Sequence, residues 1–162
     1  METASSNTQT QKPRLWIVLI HPDIPQNTGN IARLCMVSDC GLVLVRPLGF
    51  RLTDRFLERS GMDYWHRLKP VVLDSIESFQ LWARGRRVFC LSSKASKTLY
   101  ETRFVRGDVL CFGSESHGLP PEFLSQNQRI IKIPMKPGER CLNVATAAGV
   151  ATFEALRQIE GW

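Results

Sequence analysis

Ile133-Pro134-Met135-Lys136-Pro137-Gly138-Glu139-Arg140-Cys141-Leu142-Asn143-Val144-Ala145-Thr146-Ala147 decides how the chain is read. An apolar strand, Ile130 to Ile133, runs into a loop rich in Pro and Gly, and the chain then enters a helix made almost entirely of small residues. In open α/β sheets, a strand that ends in an ordered loop before a helix is where ligands are held. The small side chains after Asn143 let backbone come close to whatever sits there. Two other stretches, Asn27–Arg33 and Gly113–Gly118, have the same strand-loop-helix character. All three loops are expected to meet at one site.

The rest of the chain supports that frame. Leu15–Ile20, Leu42–Val45, Arg87–Leu91, Val109–Phe112 and Arg129–Ile133 are short apolar runs, the pattern of strands buried on both faces. Helices are expected from Asn27 to Ser38, Thr53 to Arg59, Ser75 to Ala83, Pro120 to Leu124 and Asn143 to Glu160. Asn27, Thr53, Ser75 and Asn143 are the candidate N-caps. Tyr64–Leu68 reads as one more short strand. Strands alternating with helices imply an α/β fold with a mainly parallel sheet. One domain over residues 14–162 is expected, preceded by a disordered tail, 1–13, with no apolar periodicity.

Composition narrows the classes. The 162 residues are 43% apolar and 22% charged, which are globular values. No apolar run approaches the roughly 20 residues a bilayer span needs, and the first residues lack the apolar core of a secretory signal. A cytoplasmic protein without a membrane partner is expected. The five cysteines include no C-x-x-C pair, and four sit in apolar surroundings, as reduced core thiols do. His21, His66 and His117 are widely separated and form no metal motif, so no metal is expected. The net charge of +6 leaves two readings open. One is an anionic partner, foremost nucleic acid; the other is a mildly basic enzyme with no polyanion.

The common cofactor signatures are absent: there is no G-x-G-x-x-G, no G-x-x-x-x-G-K-[ST] and no G-x-S-x-G. The three loops remain. In the first, Gly29 admits close approach, and Arg33 offers a planar fork suited to phosphate or carboxylate. The same residues also suit a plain helix start with a solvated Arg. In the second, two glycines bracket Glu115, which reads as a brace accepting backbone N–H bonds rather than as an acid or base. His117 reads as a solvent-side residue. In the third, Asn143 suits a helix cap, and the Ala-rich helix beyond it suits either a second subunit or an ordinary core.

P-x-N-x-G-N-x-x-R, F-G-x-E-x-x-G-L-P and I-P-M followed by C-L-N-V-A-x-A, in this order, resemble the SPOUT superfamily of RNA methyltransferases, and within it the minimal TrmL-type tRNA enzymes. The likeness runs from about Arg14 to Arg157 and takes in H-P-D-I-P-Q-N-T-G-N, R-P-L-G-F and G-M-D-Y. It implies an α/β fold with a C-terminal trefoil knot, S-adenosylmethionine held by the knot loops, and a homodimer. It implies cofactor contacts at Leu91, Gly113, Ile133, Met135, Cys141 and Leu142. The implied substrate is the 2′-hydroxyl of the wobble nucleotide, C or U, in a tRNA anticodon stem-loop. Arg33 and Asn143 match the catalytic-centre residues. A guanidinium stays protonated at any ordinary pH, so Arg33 is expected to orient a phosphate or stabilise a developing alkoxide rather than take a proton. Cys141 stands where the family usually has Ser, Ala145 where Ser is common, and Phe153 where some members carry Tyr. The alternatives are methylation of rRNA and a non-catalytic RNA-binding module.

Overall fold

The computed structural model describes residues 12–53, 55 and 64–162. The described strands form one sheet. In chain order they are β1 (Trp16–Ile20), β2 (Gly41–Val45), β3 (Val71–Leu73), β4 (Val88–Leu91), β5 (Lys97–Thr98), β6 (Val109–Phe112) and β7 (Ile130–Lys132). The order across the sheet is β3-β2-β1-β6-β4-β7-β5, and every pairing is parallel. β2 and β6 are buried along their whole length, which explains why their sequences are apolar without alternation. Side chains nevertheless alternate between two cores. Ile17, Leu19, Leu42, Leu44, Leu110 and Phe112 point to one face; Val18, Ile20, Val43, Val45, Val109 and Cys111 point to the other.

Helices cover each face. α1 (Pro25–Ser38) and α5 (Val144–Glu160) lie on the first, sharing a core of Ile31, Ala32 and Cys35 with Ala148, Ala151, Ala155 and Leu156. The buried alanines let α5 approach closely. Gly149 is different, because a β-carbon built there meets nothing within 4 Å. α3 (Ile76–Trp82) and α4 (Pro121–Ser125) cover the second face through Phe79 and Phe123, whose ring centroids are 5.7 Å apart. Ser75 caps α3 by accepting the Ser78 amide at 3.2 Å, as expected from sequence.

One expectation changes. Tyr64–Leu68 is not a strand: Trp65–Leu68 forms a one-turn helix, α2. β3 already occupies the edge of β2, so that segment has no partner strand there. Tyr64 instead donates its hydroxyl to the Gly29 carbonyl at 2.7 Å, and Trp65 is buried in the α1 core. Apart from Thr53 and Arg55, the helix expected over Thr53–Arg59 lies outside the described residues. β3 and β5 had no expected counterpart; at three and two residues they are too short to carry a period.

Leu110 is fully buried in β6, between β1 and β4. Leu110→Ala is expected to lower the unfolding free energy by about 2–5 kcal/mol, read from urea denaturation followed by circular dichroism.

Candidate active site

The three loops do meet, at the C-terminal ends of β1, β6 and β7, where parallel sheets hold ligands; of the Asn27–Arg33 stretch only Asn27 reaches the lining, and the segment after β4 joins them. They enclose a cleft of about 610 Å³. One wall is Leu91 to Lys94 after β4. A second is Phe112 to Leu119 after β6, and a third comes from the chain between β7 and α5. Leu91, Gly113, Ile133, Met135, Cys141 and Leu142 all line this cleft, as does Asn143. Arg33 does not. It lies six residues beyond Asn27 on α1, about 9 Å along the axis and two-thirds of a turn round. Its exposed guanidinium sits over the Tyr64 ring, 5.9 Å from the centroid.

A directed hydrogen-bond chain ties the loops together. The Asn143 side chain caps α5, its Oδ1 accepting from the amides of Ala145 at 2.8 Å and Thr146 at 3.4 Å. That fixes which end of the amide is nitrogen, and Nδ2 donates to Asn27 Oδ1 at 3.0 Å. Asn27 Nδ2 then donates to Glu115 Oε1 at 3.0 Å. The carboxylate also accepts the amides of Asp23 at 2.7 Å and Ile24 at 3.3 Å. Three donors converging on one side chain suit an acceptor-only carboxylate.

Asn27 was expected to be the N-cap of α1, and it is not. The cap position is Ile24, whose side chain makes no capping bond, and the helix begins at Pro25. Proline is at home at a first helical position because it has no N–H to satisfy. The negative charge a helix start favours is supplied from another loop, by Glu115. Glu115 therefore acts as a brace, as expected, but for the Asp23-Ile24 backbone rather than for its own loop. This long-range pairing left no signal in the local spacing.

Gly113 also serves a different purpose from the one its position suggested. Ser114 and Gly118 form a backbone bridge, and a β-carbon on Gly113 would lie 1.9 Å from the Gly118 carbonyl carbon. The loop's own backbone, rather than a ligand, demands glycine there. A second lace joins the same loops: the hydroxyl and amide of Ser116 both donate to Asp23 Oδ2. His117 is exposed, with Nδ1 2.8 Å from Ser116 Oγ. Lys94, Lys132 and Arg140 add positive charge to the cleft wall, and no local pattern marks Lys132 or Arg140 for that place. Among the described residues, no group of three His, Cys, Asp or Glu is placed to hold a metal.

Apolar walls, three loops rich in backbone donors and acceptors, and flanking cations form a site for a flat heteroaromatic group with a polar extension. Residues 14–153 match the SpoU rRNA Methylase family. The chain belongs to that family. Curated relatives include a protein of Saccharophagus degradans, 41% identical over 145 residues, that covers 88% of this chain and 94% of the relative. Another, from Methylovorus glucosotrophus, is 42% identical over 144 residues with the same coverage. Both are named tRNA (cytidine(34)-2′-O)-methyltransferase. Among solved SpoU-type structures, one described as giving insights into the 2-OH methylation of C/U34 on tRNA matches at a TM-score of 0.85 and 46% identity, covering 91% of this chain and 97% of that one. An AdoMet-bound rRNA methyltransferase from Sinorhizobium meliloti matches at 0.74 and 28% identity, covering 91% of this chain and 57% of that one.

Two outcomes test this geometry. Asn143→Ala removes the α5 cap and leaves Asn27 without a donor, so it is expected to cost about 1 kcal/mol or more in urea unfolding. Asn143→Asp keeps the cap but faces Asn27 with an acceptor, and recovers only part of that loss. The second outcome concerns acid. The Ser116 hydroxyl and amide, with the nearby His117 and His21, hold the Asp23 carboxyl below its ordinary value of 3.8. A lowered carboxyl stabilises the fold above the ordinary value and loses that contribution as pH falls through the lowered one. The Asp23 side-chain carboxyl resonance is therefore expected to titrate with a midpoint below 3.8, and in Ser116→Ala that midpoint moves back up towards 3.8.

Proposed function

We propose that the protein transfers the methyl group of S-adenosylmethionine to the 2′-hydroxyl of the wobble nucleotide, C or U, of a tRNA. The observation that carries the reading is the convergence of the family's three loops on one cleft of about 610 Å³, lined by each of the six residues matched to cofactor contacts. The cofactor supplies a methyl carbon on a sulfonium, open to in-line displacement by an oxygen nucleophile without a metal. Leu91, Ile133, Met135 and Leu142 would offer apolar surface to the adenine ring of the bound cofactor. The backbone of the Gly113 and Cys141 loops offers polar groups to the ribose and amino-acid ends.

The chain's own residues then position the acceptor. Asn143 is held rigid by its cap bonds and by Asn27, so its place beside the cleft does not depend on the RNA. Such preorganisation places most of the acceleration in alignment of the reacting atoms. Arg33 presents an exposed cationic fork over the Tyr64 ring, suited to the phosphate next to the reacting ribose or to the oxyanion that develops as the hydroxyl proton passes to bulk water. Lys94, Lys132 and Arg140 draw the RNA backbone towards the mouth.

Likeness favours tRNA over rRNA: the relatives named for the tRNA reaction are 41% and 42% identical, whereas the rRNA methyltransferase from Sinorhizobium meliloti is 28% identical. A trefoil knot belongs to the same reading; it is supported by β7 pairing between β4 and β5, which sets the β7–α5 loop beside the chain after β4. A homodimer fits the outer stripe of α5, where Gly149 opens onto space and Phe153 is 47% exposed. Residues 14–162 then form a single catalytic domain. The cytoplasm, where buried thiols stay reduced, is the compartment that fits. Among the described residues no helix is long and apolar enough to cross a membrane.

The test is transfer of labelled methyl from S-adenosylmethionine to total tRNA, followed by nucleoside analysis. A 2′-O-methylated pyrimidine from the wobble position is expected, falling by at least roughly a hundredfold in Arg33→Ala with cofactor affinity unchanged. Cofactor binding without transfer to any tRNA would overturn the substrate. Absence of both from a folded protein would leave a non-catalytic RNA-binding module.

A further inference from the structure

The opposite edge of the sheet carries a feature that methyl transfer does not use. Because every pairing is parallel, the residues that precede β1, β6, β4 and β7 line one edge, side by side. Backbone bonds join them into a belt: the Gly107 amide to the Arg14 carbonyl at 2.8 Å, the Val109 amide to Arg87 at 2.9 Å, and the Cys90 amide to Arg129 at 2.8 Å. The belt crosses three strand gaps, about 14 Å. Its cations in the segments leading into β4, β6 and β7 are all arginine, whereas the cleft edge carries Lys94 and Lys132 beside Arg140.

Much of this charge is left over. The carboxylates here are already held: Asp39 by Arg14 at 3.6 Å, Asp108 by Arg87 at 3.2 Å and Glu160 by Arg106 at 2.9 Å. Arg84, Arg86, Arg103 and Arg129 are exposed and form no ion pair among the described residues. Two are preset by aromatic faces. Arg86 lies 4.5 Å from the Trp82 ring centroid and 5.4 Å from that of Trp16, and those rings pack edge to face. Arg129 lies 5.9 Å from Phe89, with Arg87 at 5.2 Å. Arg86 Nε also donates to the Trp82 carbonyl at 3.4 Å, which fixes the fork further and leaves its outer N–H groups for a phosphate at little cost in rotamer freedom.

We propose that this arginine edge is a second RNA-backbone surface, which holds part of the tRNA beyond the anticodon stem-loop. The inference rests on the tRNA reading above. Strands of four or five residues separate the edge from the cleft by about 15 Å, so phosphates bound here lie well away from the reacting ribose. A row of arginines, two of the unpaired ones set against aromatic rings, fits a regular line of phosphates better than scattered carboxylates on an acidic protein.

The test compares full-length tRNA with the isolated anticodon stem-loop, by fluorescence anisotropy across a salt series, on the intact protein. In the triple variant Arg84→Gln, Arg103→Gln, Arg129→Gln, affinity for full-length tRNA is expected to fall roughly tenfold or more near 0.1 M salt. The slope of log Kd against log salt becomes shallower by about 1 for each phosphate that is no longer neutralised. Stem-loop affinity, cofactor affinity, oligomeric state and unfolding midpoint stay as in the parent. The matching Arg→Lys triple keeps the slope. An unchanged affinity and slope for full-length tRNA would overturn the proposal, as would an equal loss for the stem-loop. Loss of polyglutamate binding with tRNA binding intact would assign the edge to an acidic protein instead. Methyl transfer to the stem-loop by the parent protein tests the functional reading separately.

Discussion

The carboxylate of Glu115 accepts hydrogen bonds from the Asp23 and Ile24 backbone and from Asn27, and the cleft depends on that convergence. Asn27 passes the constraint to Asn143, and Asn143 passes it to the first turn of α5. Segments separated by 88 and 116 residues are thereby held in one orientation. Every member of the chain has a partner of the correct polarity. A half-satisfied polar network would weaken the site it joins, whereas a complete one specifies a single arrangement.

The parallel sheet supplies the other half of the arrangement. With all strands running one way, the chain segments that follow them gather on one edge and those that precede them gather on the other. The following segments, with their glycines, amides and lysines, form the cleft. The preceding segments bring arginines and aromatic rings together. Burial of both sheet faces leaves the two edges as the places where polar chemistry can collect, and α1 and α5 link the cleft to the outer surface.

The central strands were legible because burial on both faces demands continuous apolar runs, as in Val18 to Ile20 and Leu42 to Val45. Ser75 and Asn143 were legible as caps because capping needs a short polar side chain just before a helical run. Tyr64–Leu68 misled because an aromatic pair beside apolar residues suits a strand as well as a buried helical turn, and only the occupied edge of β2 decides between them. Asn27 misled for a related reason. A local rule offered it a cap, while a distant carboxylate and a distant amide offered it two bonds.

By itself the sequence determined the α/β class, the central strands, the three loops that would carry a site and several of the residues lining it, since each follows from local burial, turn chemistry or an ordered set of motifs. Only the tertiary structure decided that Glu115 braces a loop 92 residues away, that Gly113 is required by its own loop's backbone, and that Arg33 stands outside the cleft its motif suggested. Those outcomes depend on which segments the sheet order brings side by side. No local pattern of side chains encodes that order, because the free energy that selects it comes from burying both faces at once.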